Sequence, residues 1–316
     1  MKRWLVTGGA GFIGSNLTES LLQKGIRVRV VDNFISGRRK NLEPFLDDIE
    51  LIEGDLRDKD VCARAVKDVE VVLHQAALGS VPRSIEDPLL THESNVTATI
   101  LLLMAAREAD VKRVVCASSS SVYGANPALP KKEDLTPKPI SPYAVSKLGQ
   151  EQYCLAFHAV YQMDIVALRY FNIYGPRQDP KSMYAAVVPC FIRAALIGKP
   201  PEIHGDGLQT RDFTFVGDCV EANISAAGSD GVSGKVMNIA AGRETNINQL
   251  WETVKKITGA KVEPVHAEPR KGDVRKSRAD ASLAKELMAW STKTDLETGL
   301  EKTAAWMKDQ ETLTDA

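Results

Sequence analysis

The chain has 316 residues, which is enough for one large domain or two ordinary ones, since globular domains commonly hold about 100–200 residues. Hydrophobic residues make up 44% and charged residues 26%, a composition typical of a globular protein that excludes a disordered chain. The net charge of −1 excludes the basic excess that is usual in nucleic-acid-binding proteins, so we expect no nucleic-acid partner.

Short apolar strand patterns alternate with helical patterns along residues 1–175. The strand patterns cover 2–7, 26–31, 49–53, 69–73, 111–117 and 165–170, and the helical patterns cover 12–24, 60–65, 94–109 and 143–161. This alternation predicts an α/β fold in which a Rossmann-type, doubly wound parallel sheet is covered by helices on both faces.

After residue 175 proline and glycine become frequent, which predicts a smaller, less regular α/β lobe that binds substrate. Helical patterns cover 218–227, 247–258 and 282–287, and a strand pattern over 211–216 is expected to return the chain to the first lobe. We therefore predict a dinucleotide-binding domain of residues 1–175 plus about 210–237, and a substrate lobe of 176–209 and 238–316.

A glycine turn directly after the first strand is the first candidate site. Gly8, Gly11 and Gly14 have the spacing GxxGxxG and open a helix. A side chain at such a turn would block a pyrophosphate from the backbone, and the helix N-terminus supplies free N–H groups and a partial charge of about half an electron. The pattern predicts a dinucleotide site, with a tight turn that binds nothing as the alternative.

An acidic residue lies where such a site requires one. Asp32 ends the second strand and can accept hydrogen bonds from the adenosine ribose, while it would repel a 2′-phosphate, which favours NAD over NADP. The basic residues 38–40 could hold a phosphate, but they lie six or more residues further on and are interpreted as a solvated loop. Asp55 and Leu56 fit either an adenine contact or a plain turn.

Tyr143 and Lys147 lie four residues apart at the start of a predicted helix and therefore share one face. An ammonium group beside a phenol favours the phenolate, so we expect Lys147 to lower the pKa of Tyr143 from about 10 towards neutrality. A phenolate is the base that can take the proton of a secondary alcohol during hydride transfer. A surface Tyr–Lys pair is the alternative.

A run of four serines at 118–121 follows the fifth strand pattern. It is expected to emerge at the carboxyl edge of the sheet, where ligands bind in such folds. A serine hydroxyl there can hold the substrate oxygen as its proton leaves, although a polar loop would have the same composition.

The sequence contains no strong signal for a membrane span or a metal site. Its longest strongly apolar run, 98–106, is about half of the ~20 residues that a spanning helix needs. Glycines appear before any apolar stretch of signal-peptide length, the five cysteines form no CxxC, and the five histidines form no HxH or HxxxH. We expect a cytoplasmic protein with reduced thiols, no metal and no membrane partner.

Four motifs together resemble the extended short-chain dehydrogenase/reductase family, and within it the NAD-dependent nucleotide-sugar 4-epimerases. They are TGGAGFIG at 7–14, the serine run ending in VYG, SPYAVSK at 141–147 and LRYFNIYGPRQ at 168–178. The resemblance covers nearly the whole chain and implies NAD as cofactor and a UDP-sugar as substrate. It also implies a homodimer in which the helices at 94–109 and 143–161 pair, with Val96, Ile100 and Leu103 either on that face or covering the chain's own sheet.

The resemblance implies roles for the positions that match the family's motifs. Ser119, Tyr143 and Lys147 take the catalytic roles. The implied cofactor-binding residues are Gly8, Gly11, Phe12, Ile13, Gly14, Asp32, Asn33, Ser36, Gly37, Asp55, Leu56, Gln75, Ala76, Ala77, Tyr143, Lys147 and Phe171. The implied substrate-binding residues are Ser80, Arg83, Ser119, Ser120, Ser121, Tyr143, Asn172, Val187, Ile203, Arg211, Arg270, Asp273 and Ser277.

Among the implied substrate residues, Arg211 and Arg270 would meet the diphosphate, because guanidinium forks match its oxygens. Asp273 would hold the uridine ribose, and for each arginine a surface salt bridge is the alternative.

Two features narrow the expected reaction within the family. Related dehydratases carry Asp-Glu where this chain has Ser120 and Ser121, which cannot protonate a leaving hydroxide, so the resemblance favours epimerisation. Ser277 matches a position that walls the sugar pocket, and a small residue there leaves room for an N-acetyl group. We therefore expect interconversion of UDP-GlcNAc and UDP-GalNAc through a transient 4-keto sugar.

Two alternatives stay open at this point. One is interconversion of UDP-glucose and UDP-galactose, alone or together with the N-acetylated pair, since a roomy pocket still admits the smaller sugar. The other is a non-catalytic NAD-binding regulator on the same fold, which the intact Ser119, Tyr143 and Lys147 set disfavours because a sensor needs no base.

Overall fold

The structure is a computed structural model and describes residues 3–180, 186–269 and 275–310. The described strands are β1 (Arg3–Thr7), β2 (Arg27–Asp32), β3 (Ile49–Glu53), β4 (Val71–His74), β5 (Arg113–Ser119), β6 (Ile165–Tyr170), β7 (Ile173–Tyr174), β8 (Glu202–His204), β9 (Thr210–Arg211), β10 (Thr214–Phe215), β11 (Val236–Ile239), β12 (Thr245–Asn246) and β13 (Val265–Ala267). The described α-helices are α1 (Phe12–Gln23), α2 (Lys59–Val66), α3 (Val81–Glu86), α4 (Pro88–His92), α5 (Ala98–Glu108), α6 (Pro142–Tyr161), α7 (Val187–Leu196), α8 (Val216–Gly228), α9 (Ile247–Thr258), α10 (Ser282–Met288) and α11 (Leu296–Lys308).

Seven parallel strands form the central sheet in the order β3-β2-β1-β4-β5-β6-β11. The first six strands overlap the six predicted ranges, and the predicted doubly wound α/β fold is confirmed. The strand order reverses between β1 and β4, and in such sheets the crevice at the carboxyl ends of the strands around this reversal receives the ligand.

Alternate residues of each strand enter two different apolar cores, because successive side chains of a strand point to opposite faces. Val6 and Leu73 belong to the core shared with α1, α7, α8, α9 and α11. Leu5 and Val72 belong to the core shared with α2, α5 and α6. Both faces of the sheet are therefore covered, which explains why strands such as β6 are buried along their whole length.

The return of the chain to the sheet differs from the prediction. The predicted strand at 211–216 is divided into two short strands, because β9 pairs with β12 and β10 pairs with β7, both outside the central sheet, and α8 then packs against α1. The seventh strand is β11, which pairs with β6 and which the sequence analysis did not identify. It carries a buried polar residue, Asn238, whose amide donates to two backbone carbonyls, and this polar position hid the apolar pattern. The predicted division into two domains stays a prediction.

One described helix is long and apolar enough to span a membrane by length and composition. This differs from the prediction, which considered only the apolar run of 98–106. The helix covers Pro88–Glu108, where α4 continues through a π-helical turn at Glu93–Thr97 into α5. Half of its most apolar window is buried inside the protein, and the fully buried Asn95 donates to Ser146 and accepts from the Leu78 backbone N–H. Core helices pass the same test, so this is weak evidence for a membrane span.

Candidate functional site

A cleft of about 920 Å³ opens at the carboxyl ends of the central strands. This is the size expected of a site that takes an extended cofactor and a substrate together. The cleft brings together many of the residues predicted from the sequence, namely Gly8, Gly11, Phe12, Ile13, Gly14, Gln75, Ala76, Ala77, Ser119, Ser120, Ser121, Tyr143, Lys147, Phe171, Asn172, Arg211 and Ser277.

The glycine turn leaves no room for side chains. A Cβ on Gly14 would lie 2.1 Å from the carbonyl oxygen of Gly8, and a Cβ on Gly8, which has φ +66°, would lie 2.8 Å from the Cα of Ala76. Helix α1 starts at an N-cap glycine, Gly11, without a side-chain cap or an acidic residue in its first turn. Its N-terminal N–H groups are thus open to an anion, and this cradle fits the pyrophosphate of a dinucleotide.

A smaller pocket shares Gly8, Ala76 and Ala77 with the cleft and is lined by Asp32, Asn33, Asp55 and Leu56. These last four are the residues predicted to hold the adenosine, and the glycine cradle connects them to the cleft. The pocket and the cleft together therefore form one continuous surface that fits an extended dinucleotide.

Asp32 is held at the end of β2 by two backbone donors. Its Oδ2 accepts from the Ala10 N–H at 2.9 Å and its Oδ1 from the Phe34 N–H at 2.8 Å. Burial raises the pKa of Asp32, while these two hydrogen bonds lower it. A Cβ on Gly37 would lie 2.8 Å from Asp32 Oδ1, so only glycine lets the loop pass the carboxylate. The neighbouring Ser36 is exposed and does not line either pocket.

Asp55 stays charged beside this pocket. Asn33 Nδ2 donates to Asp55 Oδ2 at 2.8 Å, and Arg57 also bonds the carboxylate. The Arg57 side chain is the main reason that the pKa of Asp55 is lowered to about 2. These contacts fix the Asp55 side of the pocket.

The Ser119 and Tyr143 side chains both line the cleft, and the Ser119 hydroxyl lowers the pKa of Tyr143. Ser141 caps α6 by accepting from the Ala144 N–H and Pro142 begins the helix, so Tyr143 lies in its first turn. Ser119 Oγ accepts from the backbone N–H and from the hydroxyl of Ser121, at 3.2 and 2.9 Å. Its own proton is therefore available to donate to the Tyr143 oxygen, which is the direction that stabilises a phenolate.

The predicted effect of Lys147 on Tyr143 is wrong for this structure. Burial raises the pKa of Tyr143 above its usual value, and the hydrogen bond with Ser119 is what lowers it. The Lys147 ammonium instead donates to the carbonyl oxygen of Ala117 at 2.6 Å and to Gln150 Oε1 at 2.5 Å. Burial lowers the pKa of Lys147 in turn. Sequence spacing placed both residues on one face of α6 but could not show which atoms the ammonium contacts.

A buried hydroxyl–imidazole relay supports the segment 75–77. Thr99 Oγ1 donates to the Asn95 carbonyl at 2.6 Å, so it accepts from His74 Nε2 at 2.8 Å. His74 Nδ1 then accepts from Thr7 Oγ1, which itself accepts from the N–H groups of 75 and 76. Burial lowers the pKa of His74 to about 3, so the ring is neutral, and it is 1% exposed.

Asp212 organises the side of the cleft that carries Arg211 and Ser277. Its buried carboxylate accepts from the backbone N–H groups of Ala241, Gly242 and Ala279 at 3.0–3.1 Å. These contacts join the segment after β9 to the segment after β11 and to the irregular segment that carries Ser277. The backbone carbonyl of Asp212 also accepts from Asn172 Nδ2 at 3.0 Å, which orients that predicted substrate residue.

Several predicted substrate residues do not reach the cleft. Ser80 caps α3, where its hydroxyl accepts from the Arg83 N–H at 3.2 Å, and neither residue lines the cleft. Ile203 is only 1% exposed because it packs in the apolar core. Val187 begins α7 and packs against the same core. Arg270 and Asp273 lie outside the described residues, so their roles stay predictions.

Other residues that line the cleft, or that hold its lining in place, were not predicted from the sequence. Gln150 is a buried polar residue with no motif that marks it, and Asp212, beside the predicted Arg211, is a second buried polar residue to which no role was assigned. Val81, Ile85 and Ile140 line the cleft as exposed apolar side chains, for which the only signal is their position beside predicted loops. In the part of the chain that the structure describes, no group of three or more His, Cys, Asp or Glu residues could hold a metal ion.

The glycine cradle, the acid at the end of β2 and the Ser–Tyr–Lys arrangement define a dinucleotide-dependent enzyme of the dehydrogenase type. Comparison with known proteins identifies the family. Residues 4–240 match the NAD dependent epimerase/dehydratase family, and the chain belongs to it. The protein is therefore an enzyme that uses NAD.

Individual relatives are similar over nearly the whole chain. A UDP-glucose 4-epimerase of Mycolicibacterium smegmatis is 40% identical over 312 residues, which is 98% of this chain and 99% of the relative. A solved UDP-glucose 4-epimerase of Thermotoga maritima with UDP-glucose matches at a TM-score of 0.93 and 39% identity, covering 97% of this chain and 98% of that one. A solved UDP-N-acetylglucosamine 4-epimerase of Methanobrevibacter ruminantium, in complex with UDP-N-acetylmuramic acid, has the same TM-score at 40% identity and the same coverage.

The titration of Asp212 should be visible in the stability of the protein. Burial raises its pKa from 3.8 to about 6, so the folded state keeps the proton to higher pH than the unfolded state does. Its contribution to the free energy of unfolding is therefore present below about pH 4 and is lost as the pH rises through about 6. Between these values we expect the wild type to lose roughly 1–3 kcal/mol relative to Asp212→Asn, which cannot titrate. Urea unfolding at each pH measures this difference, and parallel profiles would contradict it.

Proposed function

We propose that the protein is a UDP-N-acetylhexosamine 4-epimerase that interconverts UDP-GlcNAc and UDP-GalNAc. The observation that carries the proposal is that Ser119, Tyr143 and Lys147 line one cleft, which continues into the glycine cradle. The relatives named above are UDP-sugar 4-epimerases, and they support this broader activity. A cytoplasmic location stays a prediction.

The Tyr143 hydroxyl is the proposed acid and base. As a phenolate it accepts the proton of the sugar 4-hydroxyl, and it returns the proton when the configuration at carbon 4 has been inverted. Ser119 donates to the same oxygen, so it stabilises the anion and aligns the sugar hydroxyl. Lys147 lines the same cleft, and although its ammonium is bonded to Ala117 and Gln150, a positive charge turned towards the Tyr143 oxygen would favour the phenolate.

NAD, when bound, accepts the carbon 4 hydrogen as hydride and supplies it again, so that no external redox partner is needed. The residues proposed to hold it are the cradle of Gly8, Gly11 and Gly14 at the pyrophosphate and Asp32 at the adenosine ribose. Arg211 would hold the diphosphate of the sugar nucleotide across the cleft.

The preference for the N-acetylated sugar rests on Ser277. This small residue lines the cleft on the same side as Arg211. A pocket with a small wall residue admits the larger sugar and does not exclude the smaller one. UDP-glucose and UDP-galactose are therefore the second candidate pair, which the names of two of the relatives above favour.

Tyr143→Phe tests the proposed base. We expect turnover to fall by roughly 100-fold or more, because the variant has no group to accept the sugar proton. NAD content should stay normal, since the cradle and Asp32 are untouched. Anomeric proton NMR of incubated UDP-sugars measures turnover, and absorbance of the released cofactor measures NAD. Tyr153→Phe, at a second tyrosine of the same helix that does not line the cleft, is the matched control. A nearly normal rate in Tyr143→Phe would disprove the role.

Ser277→Tyr tests the proposed substrate preference. The bulky ring should overlap the N-acetyl group, so we expect turnover of UDP-GlcNAc to fall by roughly 10- to 100-fold while that of UDP-glucose changes little. UDP-glucose turnover by the same variant is the internal control for folding. If wild type and variant show the same ratio of the two activities, Ser277 does not set the preference.

The family resemblance also leads us to propose a homodimer built on α5 and α6. Val96 and Leu103 are buried within the chain, which favours their covering its own sheet. The exposed apolar side chains of these helices, in contrast, have no cover in one chain, and they are Met104, Val145, Tyr153, Val160 and Tyr161. Exposed apolar side chains on two helices that pack side by side are a feature of many interfaces.

Light scattering tests the dimer directly. The purified protein should have about twice the chain mass of 34.5 kDa. Two charges placed in an apolar interface cannot both be solvated or paired, so Val145→Glu/Val160→Glu should be monomeric. Val265→Glu, an equally exposed valine outside α5 and α6, should stay dimeric. A monomeric wild type would rule the proposal out.

A further inference from the structure

The ammonium of Lys147 is held by neutral partners in a buried position. The side chain is 3% exposed, and two of its three N–H donors are used by the Ala117 carbonyl oxygen and by Gln150 Oε1. Lys147 also lines the cleft. The geometry therefore leaves one donor for a ligand, and the two existing hydrogen bonds determine the direction of that donor.

The side-chain amide nitrogen of Gln150 contributes little to the stability of the fold. The residue is 0% exposed, and its Nε2 makes no hydrogen bond of normal geometry. The thiol of Cys116, which lies beside it, is a weak acceptor. A buried donor without a good partner destabilises a protein, so such a group in a native structure calls for a functional explanation. The oxygen of the same amide makes a short hydrogen bond to Lys147, and this contact supplies the explanation.

We propose that Gln150 is a positioning residue that aims the one free N–H of Lys147 at the nicotinamide ribose. The inference rests on the proposed function for its catalytic consequence. Gln150 and Lys147 are three residues apart on α6, so the helix itself keeps the amide oxygen under the ammonium. The Ala117 carbonyl belongs to β5, so the pair also joins α6 to the strand that carries Ser119.

Other groups around Lys147 do not take over this role. His74 faces it from β4 but is neutral and bonded to two threonines. Glu151 is occupied by Arg169 and by the Ser118 hydroxyl. The remaining titratable groups that face Lys147 are the thiol of Cys116 on β5 and the thiol of Cys154 on α6. Within the described part of the chain, Gln150 thus provides the side-chain acceptor to which the ammonium is bonded.

Gln150→Met tests the proposal, since methionine has a similar volume and no amide oxygen. We expect the NAD dissociation constant to rise by roughly 10-fold and kcat to fall by roughly 10- to 100-fold, because the ammonium loses its direction. The alkaline limb of the pH–rate profile should move to lower pH, because a buried ammonium with fewer acceptors loses its proton more readily. Urea unfolding should show a modest loss of stability, because the buried ammonium loses one acceptor while the poorly bonded Nε2 is removed.

Gln152→Met is the matched control, because it makes the same change at an exposed position of the same helix, and it should behave as wild type. Gln150→Glu restores an oxygen with a negative charge, so the alkaline limb should lie at or above its wild-type position. Wild-type NAD affinity and an unmoved alkaline limb in Gln150→Met would overturn the proposal, as would lower stability without these two changes. If the wild type epimerises no UDP-sugar, the proposed function fails, while NAD affinity still tests Gln150.

Discussion

Burial of a positive charge at the junction of α6 and β5 is the constraint on which the site depends. Lys147 can stay charged inside the protein only because the Ala117 carbonyl and the Gln150 amide accept its protons. Next to it, Arg169 and Glu151 form a bidentate ion pair, and Glu151 also accepts from Ser118 at 2.6 Å. The buried cations Lys147 and Arg169 are thus both bonded to α6. Lys147 is bonded directly to the end of β5, and Arg169 is linked to it through Glu151. This fixes the position of Ser119 relative to Tyr143 before any ligand arrives.

Most of the framework could be predicted from the sequence, because its signals are local. Buried parallel strands are short apolar runs, and six of the seven were found within a few residues of their bounds. The glycine turn, Asp32 and the Tyr143–Lys147 spacing depend on the geometry of one turn or one helix, and the structure gathers these residues around one cleft and its adjoining pocket. In these cases the sequence separation alone determines which residues are neighbours.

The features that could not be predicted from the sequence depend on contacts between segments that are far apart in the chain. β11 was missed because it contains a polar residue, Asn238. The cost of burying its amide is offset by hydrogen bonds to the backbone carbonyls of Lys131 and Asp280, each more than 40 residues away in the sequence. Asp212 joins three separate chain segments, and no residue spacing in the sequence indicates these contacts. The pKa of Tyr143 was predicted in the wrong direction because helical periodicity describes faces, whereas protonation depends on which atoms touch and on how far water is excluded.

The strand order of the central sheet has a consequence for synthesis on the ribosome. β1, β2 and β3 are neighbours, and β4, β5, β6 and β11 then follow outward on the other side. Every newly made strand therefore meets an edge that is already present, so the sheet can grow in the direction of translation without opening an earlier pairing. The last strand, β11, can pair only after the segment that carries β7 to β10 has left the ribosome. Until then β6 is the exposed edge of the nascent domain.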